Sequence, residues 1–354
     1  MTWLLLIVGL VLLVIGADVL VKGAARLASN FGVPALVIGL TVVAFGTSAP
    51  ELAVSVKAAY SGEAELAIAN VVGSNIVNVL FILGLSAAVS PLIISQQLIR
   101  QDVPIMVGLS ALAAYMAFDG SINRGEAAIL ALGLLTYTWF LFYQGKKSGN
   151  DVADGEVEEM LSSKVPMWQN VLLVIVGLIL LVMGARWLVQ SAIELATAWG
   201  VNEAIIGLTI VAIGTSLPEL VTSVVATIKG ERDIAVGNVV GSNIFNILCV
   251  LGISGVVSPM PLLAGEQLAT FDIPVMLGVA VLCVPLFFIG ASLNRIEGLM
   301  FLALYTAYVW ILVATALSLG YVAQLKTAVI YGLLPLVVAY IVIALILDLR
   351  KRRA

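Results

Sequence analysis

Glu51 and Glu219 each close a Gly-Thr-Ser-x-Pro-Glu motif inside a long apolar run. Thr47 and Ser48 precede Glu51 by four and three residues, so all three share one face of a helix. Pro50 has no N–H, so the carbonyl of Gly46 loses its helical donor and the preceding turn is disturbed. Carbonyls from Ala44 to Thr47 can then turn toward a ligand. Gly214, Thr215, Ser216, Pro218 and Glu219 repeat the arrangement, with Ala212 in the place of Ala44. Carboxylate, hydroxyl and carbonyl oxygens make a donor set for hard cations such as Na+ and Ca2+. Two further stripes add neutral oxygens: Asn70, Ser74 and Asn78 recur every four residues, as do Asn238, Ser242 and Asn246. Gly73 and Gly241 on the same segments are expected to let helices approach closely. The chain has no histidine, which excludes imidazole metal sites and histidine proton relays.

Each feature has a plainer reading. A proline in a membrane helix is often only a kink, and a Gly/Ser face often only packs. A glutamate at mid-membrane is different, because an ionised group there costs at least about 2.5 kcal/mol. Neither motif contains Lys or Arg, so a mobile cation is the natural partner of both carboxylates. Asp18 and Arg186 occupy matching positions, where a salt bridge, an interfacial place or a gate would each fit; structural roles are favoured. Asp102, Asp272, Glu126 and Glu297 read as residues of helix first turns.

The elements that must position these residues are membrane helices. Of the 354 residues, 62% are hydrophobic and 11% charged, and mean hydropathy is +1.14. This excludes an ordinary soluble enzyme, a disordered chain and a nucleic-acid binder. Eleven apolar runs are long enough to span a bilayer or nearly so: 3–21, 33–59, 66–90, 103–118, 126–143, 168–189, 204–228, 234–257, 273–289, 296–319 and 328–347. No cleaved signal peptide is expected, and Cys249 and Cys283 read as buried free thiols. The net charge of −4 argues nothing about partners.

Threading eleven spans with the N-terminus outside gathers Lys22, Arg26, Arg100, Lys146, Lys147, Lys164, Lys229, Arg232, Arg295 and the basic tail on the cytoplasmic side. Only Lys57, Arg124, Arg186 and Lys326 fall on or toward the outside. The sequence also repeats itself at an offset of 168. VIGLTVVAFGTSAPELAVSVKA from Val37 and IIGLTIVAIGTSLPELVTSVVA from Ile205 share 15 of 22 positions, and NVVGSNIxN follows in both copies. Beyond the prolines Pro91 and Pro259 the offset drifts to 170, pairing Asp102 with Asp272. Each unit holds five helices, and an odd number forces the second to enter the membrane upside down. The expected fold is thus an all-α polytopic membrane protein of two inverted five-helix repeats plus an extra C-terminal helix. Its parts are the first repeat at 1–143, a short cytoplasmic loop at 144–167, the second repeat at 168–319, and the last helix with a basic tail at 320–354. Inverted repeats place a substrate site at mid-membrane, where broken helices of the two halves meet.

At these residues the chain resembles the Ca2+/cation antiporter superfamily and, within it, the prokaryotic Na+/Ca2+ exchangers. The paired signature GTSxPE with GNxxGSNxxN appears twice, with Ala69 in the first copy where the second has Gly237. The resemblance implies that Glu51 and Glu219 are the central cation ligands. It assigns Thr47, Ser48, Thr215 and Ser216 by hydroxyl or carbonyl, Ala44 and Ala212 by carbonyl, and Ser74, Ser242, Asn78 and Asn246 to complete the Na+ and Ca2+ sites. It implies sliding of the first and sixth helices to switch access, no cofactor, no protein or nucleic-acid partner, and a prokaryotic inner membrane. Part of the family carries Asp where this chain has Asn246, which argues against K+ co-transport. The loop is too short for the Ca2+-sensing domains of animal exchangers.

Charge then suggests a mechanism. Two ionised glutamates carry two negative charges, which one Ca2+ or several Na+ would neutralise. Bare, the pair would not cross a low-dielectric barrier easily, so the expectation is obligatory exchange, electrogenic if more than two Na+ move per Ca2+. The alternative is a Ca2+/H+ antiporter whose glutamates carry protons. A cation channel and an intramembrane hydrolase fit less well, since there is no pore-loop ring and no base for the serines except the glutamates.

Overall fold

The computed structural model describes residues 1–149, 166–201, 203–206, 209–210 and 212–353, so most of the expected loop at 144–167 lies outside the described residues. The first unit contains α1 (Thr2–Phe31), the bent pair α2 (Ala35–Thr47) and α3 (Ala49–Tyr60), α4 (Ala64–Val89), α5 (Leu98–Asp119) and α6 (Arg124–Gly149). The second contains α7 (Met167–Ala198), α8 (Leu217–Ile228), α9 (Arg232–Val257), α10 (Leu268–Ala291) and α11 (Arg295–Ala316). The extra helix is α12 (Val322–Arg350). Among the described residues nine helices are long and apolar enough to cross a membrane, and the pair α2–α3 makes a tenth. Of the seventh predicted run, Glu203–Ile206 and Ala212–Gly214 are helical, and Thr215 and Ser216 interrupt the helix before α8.

Inversion of the repeats is visible in how α1 meets α7. A Cβ added at Gly9 would stand 2.8 Å from the backbone N of Leu188, and one at Gly16 2.8 Å from that of Leu181. From the other side, a Cβ at Gly177 would stand 2.7 Å from the N of Leu20. Numbers rise along one helix as they fall along the other, so the two run antiparallel. Their glycines sit two turns apart and bring the backbones into contact over most of the span.

Four short strands repeat the pattern. Leu92–Ile93 pairs antiparallel with Ser292–Leu293, and Ser121–Ile122 with Leu262–Leu263. Each ribbon joins one unit to the other, at a level that the eleven-span threading puts on one side of the membrane. The Arg124 guanidinium donates to the carbonyl of Ser258 at 2.6 Å, and Arg295 to that of Val89 at 3.4 Å. These two arginines thus tie each unit's fifth helix to the other unit's third. The drift in offset lies just before the strands, since Leu92 follows Pro91 directly whereas Met260 and Pro261 stand between Pro259 and Leu262.

Helices α4 and α9 are the most enclosed of the spans and α12 the least. That ordering explains their composition. A helix surrounded by protein can carry Asn, Ser and Gly, whereas a lipid-facing one must be apolar. The extra helix docks through Tyr340, whose hydroxyl donates to Glu297 at 3.4 Å. Glu297 also accepts from the backbone N–H of Asn294 at 2.7 Å, closing a capping box at the start of α11. Asp102 and Asp272 are buried acceptors for Tyr137 and Tyr308, at 3.3 and 2.8 Å. Glu297 keeps the first-turn place expected of it, whereas Asp102 and Asp272 close π-helical turns inside α5 and α10, past the first turn. Cys249 and Cys283 are free and buried, as expected.

Gly73 departs from expectation. A Cβ at Gly241 would meet Ala44 Cβ and the Leu40 backbone at 2.8 Å, but one at Gly73 would meet nothing within 4 Å. Only the second repeat uses this glycine for a close helix approach. A sequence pattern records that a position is small, not whether a neighbour has come near.

Candidate functional site: a crossed pair of buried carboxylates

The break at each Gly-Thr-Ser-x-Pro-Glu motif forms as proline chemistry requires. Helix α2 ends at Thr47, Ser48 leaves helical geometry at φ −80° and ψ 5°, and α3 starts with Pro50 in its first turn, bent by 46°. Ser216 does the same at φ −88° and ψ 9° before α8. Each glutamate therefore lies in the first turn of a half-helix, where unsatisfied N–H groups favour negative charge. One expectation is modified here. The Ala44 carbonyl is not released by the break, because it accepts from the Ser48 N–H at 3.0 Å and the Thr47 hydroxyl at 3.3 Å. The proline removes the donor to Gly46 instead.

Glu51 and Glu219 are both buried, each 1% exposed, and close enough for their charges to repel. Their hydrogen bonds cross between the repeats. Ser216 Oγ donates to Glu51 Oε1 at 3.0 Å, and Ser48 Oγ donates to Glu219 Oε1 at 3.1 Å. Neither Glu51 Oε2 nor Glu219 Oε2 has a partner. Among the described residues no Lys or Arg forms an ion pair with either carboxylate.

Neutral oxygens surround them. Ser216 Oγ lies 3.3 Å from Ser74 Oγ, which brings α4 to the site. The Thr215 and Thr47 hydroxyls stand near Glu51 and Glu219 respectively. Thr47 donates to Asn238 Oδ1 at 3.1 Å, whereas Thr215 Oγ1 has no partner. Buried oxygens without partners also occur on Asn78, Ser242 and Asn246. A buried unsatisfied polar group costs about 1–3 kcal/mol, so six of them on candidate ligands call for a compensating species. Two carboxylates ringed by hydroxyls and amides suit a hard cation and offer nothing to a soft one. Ala212 opens a short helical piece, and among the described residues no hydrogen bond ties the Ser242 or Asn78 side chain to the carboxylates.

Asn70 and Asn238, expected on the two stripes as sources of oxygen, donate through their amide nitrogens instead, and their partners Ser55 and Ser223 escaped the sequence-based set. Asn70 Nδ2 donates to the Glu51 carbonyl at 3.2 Å and to Ser55 Oγ at 2.9 Å. Asn238 does likewise to the Glu219 carbonyl at 3.4 Å and Ser223 Oγ at 3.0 Å. They brace the glutamate backbones against α4 and α9. Ser55 and Ser223 stand at the repeat offset, a signal that was available.

The two ends of the molecule differ. A groove of about 720 Å³ runs between α3 and α7, lined by Pro50, Lys57, Arg186, Gln190 and Glu194, and reaches Thr215 at the site. At the pseudo-symmetric place, Asp18 of α1 pairs with Lys22 at 2.7 Å and with Lys229 after α8. The matched positions Asp18 and Arg186 thus diverge, one tying two elements together and the other lining an opening.

The sodium/calcium exchanger protein family matches residues 1–143 and 169–314. The chain is 34% identical over 346 residues to the sodium/calcium exchanger MaX1 of Methanosarcina acetivorans, covering 88% of this chain and 98% of that protein. It is 40% identical over 260 residues to the inner membrane protein YrbG of Escherichia coli (strain K12), covering 72% and 79%. Among solved structures, the sodium-calcium exchanger NCX_Mj soaked with 10 mM Na+ and 10 mM Sr2+ aligns at a TM-score of 0.75 and 32% identity, over 89% of this chain and 97% of that one. Both inverted units are matched, and the oxygen-lined centre where they meet lies inside the matched segments. The chain belongs to the sodium/calcium exchanger protein family, a family of multi-pass membrane transporters.

Proposed function

We propose that this protein exchanges Na+ for Ca2+ across a membrane by alternating access, without K+. The observation that carries the reading is the crossed carboxylate pair: each glutamate has one oxygen held by the other repeat and one without a partner. In this reading Glu51 and Glu219 ligate the cation directly. Thr47, Ser48, Ser74, Asn78, Thr215, Ser216, Ser242 and Asn246 add neutral oxygens, and the Ala44 and Ala212 carbonyls complete the sites. The cation displaces the Thr47 hydroxyl from the Ala44 carbonyl when that carbonyl is used.

Loaded, the site is neutral or nearly so. Bare, it carries two negative charges that no protein group offsets, and desolvating them opposes the switch. That asymmetry is the physical basis of coupling. More than two Na+ per Ca2+ makes the cycle electrogenic. The groove beside Thr215 serves access from outside, and the Asp18–Lys229 tie lies on the cytoplasmic side, with the N-terminus outside a prokaryotic inner membrane. The first and sixth helices, α1 and α7, slide together across the remaining helices of the units 1–143 and 168–319 to switch access, and α12 stands apart from the exchange.

The test is uptake of radiolabelled Ca2+ into proteoliposomes loaded with Na+, against K+ or choline, with a pH gradient as a separate arm. Uptake that requires internal Na+ and responds to membrane potential supports the reading. Uptake driven by the pH gradient alone would replace it with Ca2+/H+ antiport.

A further inference from the structure

Asn75 lies beside Ser74 on α4, buried, and neither repeat motif gives it a task. Its amide links the two halves of the molecule. Asn75 Nδ2 donates to the backbone carbonyl of Asn243 at 3.3 Å. A carbonyl can only accept, so this contact fixes which end of the Asn75 amide is nitrogen. The Met276 sulfur, 3.8 Å from the same nitrogen, is likewise an acceptor. Asn75 Oδ1 must then face the other way, where it accepts from Asn246 Nδ2 at 3.0 Å. Asn246 is consequently set nitrogen toward Asn75. Its oxygen, 1% exposed as a residue, is left without a partner.

We propose that Asn75 is a positioning residue: it orients the Asn246 amide so that Oδ1, not Nδ2, is presented to the transported cation. This rests on the reading of Asn246 as a ligand. A reversed Asn246 would aim a positively polarised NH2 at the cation and would set its oxygen against Asn75 Oδ1. Reversal is opposed at both ends. The same contact acts on specificity. A carboxylate at position 246 would place an oxygen against Asn75 Oδ1, with no donor between them, so Asn75 favours a neutral ligand there. The device is one-sided. At the matching pair, Asn243 and Asn78, both ends of each side-chain amide are buried without partners.

A double-mutant cycle separates orientation from packing, because a carboxylate presents oxygen whichever way it turns. Ca2+ dissociation constants are measured by calorimetry on the purified full chain for wild type, Asn75→Ala, Asn246→Asp and the double variant, with Tm for each. Asn75→Ala is expected to weaken Ca2+ binding by roughly threefold to tenfold, the scale of one hydrogen bond. In the Asn246→Asp background the same change is expected to cost nothing or to tighten binding, since it removes an acceptor facing an acceptor. Asn75→Ser, whose hydroxyl can still accept from Asn246 Nδ2, is expected to recover part of the loss and stands in if the alanine variant fails to fold. Equal losses in both backgrounds, or no loss from Asn75→Ala with Asn246 intact, would overturn the proposal. Binding needs no coupling ion. A protein that binds Ca2+ in this pattern but exchanges it for H+ would refute Na+/Ca2+ antiport and leave the role of Asn75 standing.

Discussion

Each buried glutamate has two oxygens with different duties. One is held by a serine of the opposite repeat and the other has no partner, which in the proposed exchange leaves it to a cation. Neutralising either carboxylate removes the charge that makes Ca2+ binding worthwhile. It also removes a desolvation cost from the cation-free protein. Glu51→Gln and Glu219→Gln are therefore expected to abolish exchange while matching or exceeding the wild-type Tm without cation. They should also lose the Tm rise that Ca2+ gives the wild type. Full flux in either variant would remove that glutamate from the site. The serines act more gently. A hydrogen bond to a charged group is worth about 1.5–3 kcal/mol, so Ser48→Ala and Ser216→Ala should each weaken Ca2+ affinity by roughly tenfold or more. The crossing makes the two variants equivalent, and a tenfold difference between them would argue against it. The motif spacing already placed each serine on its own glutamate's helix face. It could not show that Ser48 serves Glu219, because 171 residues separate them in the chain.

Helix pairs in a bilayer gain no hydrophobic drive from meeting, so they associate where small residues let backbones touch. The α1–α7 contact is built this way. Gly16→Leu and Gly184→Leu would force a side chain into backbone less than 3 Å away. Overpacking of this kind costs about 1–3 kcal/mol or more, so a lower Tm and slower exchange are expected for both. The matched pair in the middle helices makes a sharper comparison. Gly241→Ala meets Ala44 and Leu40, whereas Gly73→Ala meets open space. The first should impair folding or flux and the second should be tolerated, read by Tm and by Ca2+ uptake. Equal effects would show that the two repeats pack alike at these positions. The sequence presents these glycines as equivalent, since both stand in an NVVGSN string.

Across the whole molecule, the ion pair and the strand ribbons between the units each join segments that the charge-based threading puts on the same face of the membrane. Lys22 of the first unit and Lys229 of the second share Asp18. The two strand ribbons likewise pair the connections of one unit with those of the other. With the N-terminus outside, Ser61 faces out and Gln96 faces the cytoplasm, and both are exposed. Cys249 and Cys283 are buried and should stay silent to thiol reagents. A membrane-impermeant maleimide is thus expected to label Ser61→Cys in intact cells and Gln96→Cys only after permeabilisation. The reverse pattern would invert the topology and with it the assignment of the groove beside Thr215 to the outer side.

Apolar runs, charge placement and the doubled glutamate motif are properties of a chain read in order. They determined the spanning helices, the inverted repeat and the two carboxylates, because hydropathy, the proline break and the cost of a mid-membrane charge all act locally. The tertiary structure decided what depends on distance between remote segments: the exchange of serines between glutamates, the unequal use of Gly73 and Gly241, and the turn of the Asn246 amide by Asn75. It also decided that Asp18 ties α1 to Lys229 while Arg186 lines the groove that reaches Thr215. Two nearly identical repeats have no such differences written in their motifs. The differences arise when the halves pack, because each segment then meets neighbours that its counterpart does not.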